Sequence, residues 1–369
     1  MLLRCALVLL GSLLPMSALA ASLIQVPTYG GTFYVHAVSG DGRVVAGEGN
    51  GGSPMLRWSN AEGFTPIADL PGSTGGHLNA LSADGSVVVG GGNRPLLGRE
   101  AFYWTESTGS VQLGDLAGGG VDSTALDVSA DGSRIVGSVT SATHVEAAYW
   151  SPAGSLVPIG VLPLIPDSRA TGVSADGAVI AGLVGRYVSN DQFNNELPFR
   201  WTQGEGMQQL DLLPGATSGR ATAVSADGSA IVGRTGNEAV RWTDGGVMGL
   251  GGLVPSPLPP RSRPTGVSAD GSVVVGWAIN ADDQQEAFLW DETNGMRSLQ
   301  QVLLALGLDV ADYHFIEAVG VSDDGTRIAG RMVAPAGGQF GFIALLPEPG
   351  TGILMGVGLA LAAACRRHR

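Results

Sequence analysis

The apolar positions of this chain fall into short runs separated by glycine-containing turns, and the runs recur in a fixed order. A Ser-x-Asp-Gly core opens each unit and leads into a short β-branched run ending in Gly; copies begin at Ser39, Ser82, Ser129, Ser174, Ser225, Ser268 and Ser322. The aspartates of these cores stand 43, 47, 45, 51, 43 and 54 residues apart, which defines seven units of roughly 47 residues. Further on in each unit comes an apolar pair ending in Trp: Trp58, Trp104, Trp150, Trp201, Trp242 and Trp290, with Phe342-Ile343 in the seventh. A turn and a fourth apolar segment follow, so each unit reads as four short strands. The Asp-Gly pair joins the first strand to the second, because these residues tolerate the positive φ of a tight hairpin turn and the preceding Ser can bond the turn backbone. Only the run from Leu299 to Leu308 departs from the pattern, and it predicts one short helix between units.

Seven four-stranded units predict an all-β fold, a seven-bladed β-propeller, whose innermost strands must be narrow where the blades crowd around the axis. Two residues before each repeated Ser stand Ala37, Ala80, Asp127, Gly172, Ala223, Gly266 and Gly320; all are small except Asp127. The last unit stops after its third strand, near Leu346, while Ile24 to Pro27 forms an apolar segment with no unit before it. The N-terminal strand is therefore expected to complete the last blade and close the ring. The tryptophans, at a fixed place in the unit, are expected to pack between adjacent sheets. Trp277 has no counterpart in the other units and is the leading aromatic contact candidate.

The ends of the chain carry a different pattern. Arg4, an apolar stretch from Ala6 to Leu14 and Ala18-Leu19-Ala20 read as a secretory signal over residues 1–20. At the other end, Pro347-Glu348-Pro349 precedes an apolar run from Ile353 to Cys365 and the terminal Arg366, Arg367 and Arg369. The run is short for a spanning helix, but the arginines would hold its end at the cytoplasmic surface. This order over residues 347–369 resembles the PEP-CTERM sorting signal, which implies a C-terminal transmembrane helix, an exosortase-type membrane protease as partner, an intermediate anchored in the inner membrane, and a final place at the cell surface or outside the cell. The unit that fills residues 21–346 resembles the HAF family of extracellular repeats, through Glu-Ala-Phe at 100–102 and 286–288. No copy keeps that family's His, and the resemblance implies architecture and location without chemistry.

Composition removes several function classes. With 20 basic residues, all arginine, against 33 acidic ones, the net charge is -13 and a nucleic-acid partner is not expected. The only cysteines, Cys5 and Cys365, lie in the terminal segments, so neither a disulfide framework nor a Cys-ligated metal is available to the repeats. No hydrolase elbow, phosphate loop or zinc motif occurs, and no cofactor or metal is expected. The expectation is a non-catalytic surface or matrix protein whose propeller face binds a glycan, an exopolysaccharide or another envelope protein. The rival is a secreted propeller enzyme acting on glycans, with acids from several blades converging on the channel. Ligand-face candidates are Asp127, Trp277 and the variable loops of one face, one with Asn190 and Asp191, one with Asp282 and Asp283, and the Pro-rich connector Pro255 to Pro264 with Arg261 and Arg263.

Overall fold

The computed structural model describes residues 20–49, 54–96, 98–120, 122–189, 192–254 and 260–347. It forms seven four-stranded antiparallel sheets, each built from consecutive strands except the last. The inner strands of blades one to seven are Phe33–Val38, Gly76–Leu81, Thr124–Val128, Asp167–Val173, Gly219–Val224, Ser262–Val267 and His314–Val321. Blade seven takes its outer strand, Ser22–Val26, from the start of the chain; it runs antiparallel to Gln339–Leu345 with Ser22 opposite Leu345 and Val26 opposite Gly341. The expected closure of the ring is therefore present. The expected secretory signal over residues 1–20 and the expected C-terminal sorting segment 347–369 lie outside the described residues, apart from Ala20 and Pro347. Among the described residues no helix is long and apolar enough to cross a membrane.

The repeated core works as a local clamp. In every blade the Ser hydroxyl donates to the Asp carboxylate two residues on, as Ser39 does to Asp41 and Ser174 to Asp176. The same hydroxyl accepts the N–H five residues on, and the Asp accepts a second backbone N–H beyond the turn. The glycine that follows, for example Gly177 at φ 72°, makes the turn that a side chain would strain. The hydrogen bonds of Ser133 and Ser129 hold the Asp131 carboxyl below its ordinary range.

All six repeated tryptophans are buried, and each packs on the preceding blade: Trp242, for instance, lies with Ala181 of blade four and Trp201 with Val136 and Ala147 of blade three. The seventh copy differs from the sequence expectation. Ile328 pairs with Ala344, whereas the equivalent residues Val45 and Ile231 pair with Trp58 and Trp242. Ala344, not Phe342-Ile343, thus occupies the seat of the missing Trp. Around this smaller residue the core of blade seven includes Phe315 and Leu299 and Leu303 of the helix Leu299–Ala305, whose start is capped by Ser298.

Small residues near the axis permit the close approach of neighbouring blades. A Cβ on Gly266 would lie 2.8 Å from the Cα of Gly320, and one on Gly172 would lie 3.0 Å from the Cα of Ala223. Backbone hydrogen bonds join successive blades just below, from Ala83 to Ala130, Ala130 to Ala175, Ala175 to Ala226, Asp227 to Ala269 and Ala269 to Asp323, and the Asp323 N–H donates to Gly40 across the seam of the last and first blades.

Candidate functional site

Each inner strand carries a bulge one residue before its small position, at His36, Asn79, Leu126, Thr171, Thr222, Thr265 and Val319. These residues line a central cavity of about 270 Å³. Four of them bridge to the next blade: Asn79 donates to the Ala125 carbonyl at 2.7 Å, Thr171 to Ala221 at 3.0 Å, Thr222 to Pro264 at 3.1 Å and Thr265 to Ala318 at 2.6 Å. In blade three the bulge residue is Leu126, which cannot donate, and its neighbour makes the bridge instead. Asp127 accepts the Val128 N–H on Oδ1 and the Val173 N–H of blade four on Oδ2, each at 2.8 Å. Burial pushes its carboxyl up to about 7, against the pull of these two donors. His36 is pushed down to about 4 by burial and by the nearby Arg331, so it is neutral at pH 7.

The face opposite the Ser-x-Asp-Gly turns has a different character. Near the start of each inner strand, a residue pairs across to the second strand: Tyr34 with Glu48, His77 with Gly91, Thr124 with Ser138, Arg169 with Leu183, Arg220 with Arg234, Arg263 with Trp277 and Glu317 with Arg331. Three successive blades, four to six, thus present Arg169, Arg220 and Arg263 at one level of the ring. Glu196, from the third strand of blade four, accepts Arg220 Nη2 on Oε1 at 2.6 Å, and Arg220 Nε and Arg234 Nη2 on Oε2 at 3.0 and 2.8 Å. The Arg263 guanidinium lies 5.3 Å from the centre of the Trp277 ring, and that of Arg169 lies over Phe193. Burial and the charge of Arg220 both lower the affinity of Arg234 and Arg263 for their protons.

Trp277 is therefore on the accessible face, partly exposed and partnered by Arg263. Asp282 and Asp283 are exposed residues of the turn beside it. Asp283 has φ 57° and an ion pair with Arg261 at 2.7 Å, so its place in the hairpin accounts for it. Asp127 stands three residues further along the inner-strand direction than the Arg263 level, about 10 Å down the channel wall, with both oxygens engaged. The structure does not bring it to Trp277. Asn190, Asp191, Glu348, Pro349, Arg366, Arg367 and Arg369 lie outside the described residues, and Pro347 is the last described one. Of the ring arginines the sequence points only to Arg263, through its Pro-rich connector; the common offset of Arg169, Arg220 and Arg263 from the repeated Ser is the signal that links all three.

A second concavity on the same face, about 460 Å³, lies between blades three and four and is lined by Asp122, Thr140, His144, Asp167, Arg186 and Tyr187. Asp167 is committed to the fold, because it accepts the N–H groups of Val145 and Tyr187. No group of three or more His, Cys, Asp or Glu suited to a metal ion occurs among the described residues.

Solved structures similar to this chain include virginiamycin B lyase from Staphylococcus aureus, with TM-score 0.51 and 15% identity over 88% of this chain and 99% of that one. A streptogramin B lyase matches at TM-score 0.51 and 15% identity over 89% and 99% of the two chains. The β-propeller domain of Cps50 (Swd1) from Myceliophteria thermophila matches at TM-score 0.51 and 10% identity over 87% and 99%. The likeness is one of fold alone. No family model and no curated protein matches the chain.

Proposed function

We propose that this chain is an exported, non-catalytic β-propeller that binds a glycan of the cell envelope or extracellular matrix through the face bearing Trp277. The observation that carries this reading is the division of labour among its polar groups. Along the channel, where acids from several blades would have to meet for catalysis, Asn79, Asp127, Thr171, Thr222 and Thr265 are spent on bonds that hold neighbouring blades together, and the other titratable residues lining it, His36 and Asp323, include a single further acid. At the opposite level of the ring an indole and a guanidinium stand accessible, a pairing suited to the face and hydroxyl edge of a sugar. Sorting by an exosortase-type protease, through Pro347 to Arg369, belongs to the same proposal and rests on the sequence pattern alone.

A glycan array with the processed protein, followed by analysis of the bound glycans for cleavage, tests the binding reading. Retention of intact glycans is expected; release of shortened products would replace it with the enzyme reading. The intact mass of the mature protein tests the sorting. A C-terminus near Pro347 to Gly350 is expected, and a mass that retains residues 353–369 would overturn it.

A further inference from the structure

Elsewhere on the described surface most arginines are matched one to one with an acid: Arg57 with Glu62, Arg94 with Glu100, Arg200 with Glu205, Arg297 with Asp291 and Arg331 with Glu317. The junction of blades four to six breaks this rule. Three guanidiniums, those of Arg220, Arg234 and Arg263, share the single carboxylate of Glu196, and the bonds to Arg220 and Arg234 occupy both its oxygens. The Arg263 guanidinium makes no hydrogen bond or ion pair among the described residues; it lies 5.3 Å from the centre of the Trp277 ring, on an exposed residue. The local excess is therefore two positive charges, on a chain whose net charge is -13.

Such an arrangement is costly to the free protein. Like charges held close repel one another, and burial removes part of the water that would screen them. The exposure is graded in the way a binding site requires. Arg234, at 15% side-chain exposure, lies beneath; Arg220, at 32%, lies between; Arg263 is exposed. Arg234 is fixed by Glu196 and by the Gly236 carbonyl, Arg220 is fixed by a two-pronged contact with Glu196, and Arg263 lies within cation–π distance of Trp277. Guanidiniums oriented before the ligand arrives lose little freedom on binding; the Arg263 fork can match a carboxylate in two-pronged fashion, while Arg220, whose Nε and Nη2 are held by Glu196, can add a single contact through Nη1.

We propose that Arg263 and Arg220, supported by Arg234, bind the carboxylate of a uronic-acid residue in an acidic glycan, with Trp277 orienting Arg263 and flanking the sugar. This rests on the glycan-binding reading above and narrows it to one class of ligand. Arg263 and Arg220 are binding residues in this scheme, while Arg234 and Glu196 are positioning residues.

The test is titration calorimetry of the purified protein with an oligogalacturonate and with a neutral galactose oligosaccharide of the same length. The acidic probe is expected to bind and the neutral one to bind at least tenfold more weakly. R263Q removes a charge-assisted contact and is expected to weaken acidic binding by roughly tenfold to a hundredfold, and R263K, which keeps the charge but loses the fork, by less. R200Q, whose arginine pairs with Glu205 at the other end of its strand, is expected to bind as the parent does. Thermal melts of R263Q check its folding, and an exposed side chain gives no reason for a loss. Equal binding of acidic and neutral probes, or acidic binding unchanged in folded R263Q, would overturn the acidic-glycan assignment while leaving the glycan reading in place. Failure of every glycan on the array to bind would overturn both.

Discussion

Gly40 sits where a Cβ would come within 2.5 Å of the Asp323 carboxylate, across the seam at which the last blade meets the first. At this level of the ring the blades carry Gly40, Ala83, Ala130, Ala175, Ala226, Ala269 and Asp323, so the largest side chain faces the position that has none. The backbone bond from the Asp323 N–H to the Gly40 carbonyl, 2.7 Å long, brings the two together. Gly40→Ala alone is expected to destabilise by about 1–2 kcal/mol through overpacking. In an Asp323→Ala background the same change recreates an Ala–Ala seam and should stabilise by about 0.5 kcal/mol, because Gly40 has no positive φ and alanine restricts the unfolded chain. Urea unfolding of the two single variants and the double variant measures the coupling. Additive effects would show that the two residues do not constrain one another.

Asp127 predicts a pH signature. Its carboxyl keeps its proton up to about 7 in the folded protein and loses it near 3.8 when unfolded. Between those values the folded state binds more protons, so this group's contribution to stability is full below pH 3.8 and declines as pH rises to 7. His36, with a folded value of about 4, acts in the opposite direction between pH 4 and 6.5. Comparison with Asp127→Asn cancels it. The Asn variant turns one acceptor into a donor facing a backbone N–H and is expected to cost about 1–3 kcal/mol. The gap between parent and variant should be wider at pH 5 than at pH 8. A gap that does not change with pH would mean that Asp127 is ionised throughout.

The unit count, the hairpin at each Asp-Gly, the small positions near the axis and the closing strand could all be read from the sequence because each is a local demand that repeats. A turn needs Gly177 at positive φ whatever surrounds it, and a crowded axis excludes a large residue at position 266 whatever the ligand. The site could not be read in this way. Glu196 and Arg234 are 38 residues apart and meet only because blade four packs on blade five, and the offset that aligns Arg169, Arg220 and Arg263 becomes visible only once the bulge at Thr171, Thr222 and Thr265 fixes the register. Asp127 stood out as the one polar residue among small ones, and the structure gives the reason: Leu126 cannot make the inter-blade bridge.

The repeated Ser should matter more than the repeated Asp. Ser225 is fully buried, donates to Asp227 at 2.6 Å and accepts the N–H of Ala230, itself fully buried. Ser225→Ala leaves that N–H without a partner and is expected to cost about 1–3 kcal/mol. Asp227→Asn keeps an acceptor on an exposed turn and should cost under about 1 kcal/mol. Denaturant unfolding of both variants ranks them, and a larger loss for the Asp variant would contradict the clamp as described.

The closing strand can be tested by removing it. Deletion of residues 21–30 takes away Ser22–Val26, bares the edge of Gln339–Leu345 and removes fully buried Val26 from its contacts with Phe33, Val35, Trp58 and Ile343. The loss combines a row of strand hydrogen bonds, two or three apolar side chains worth about 1.5–3 kcal/mol each when fully buried, and the link between blades seven and one. A fall in melting temperature of about 10 °C is expected, given roughly 2 °C per kcal/mol for a chain of this size. The bared edge should also make the variant associate as its concentration rises, since unpaired strands recruit one another. A synthetic peptide of residues 21–30 in excess should recover part of the lost stability and suppress the association, because it can refill the same edge. Melting identical to the parent's, without the peptide, would show that the ring holds without its first strand.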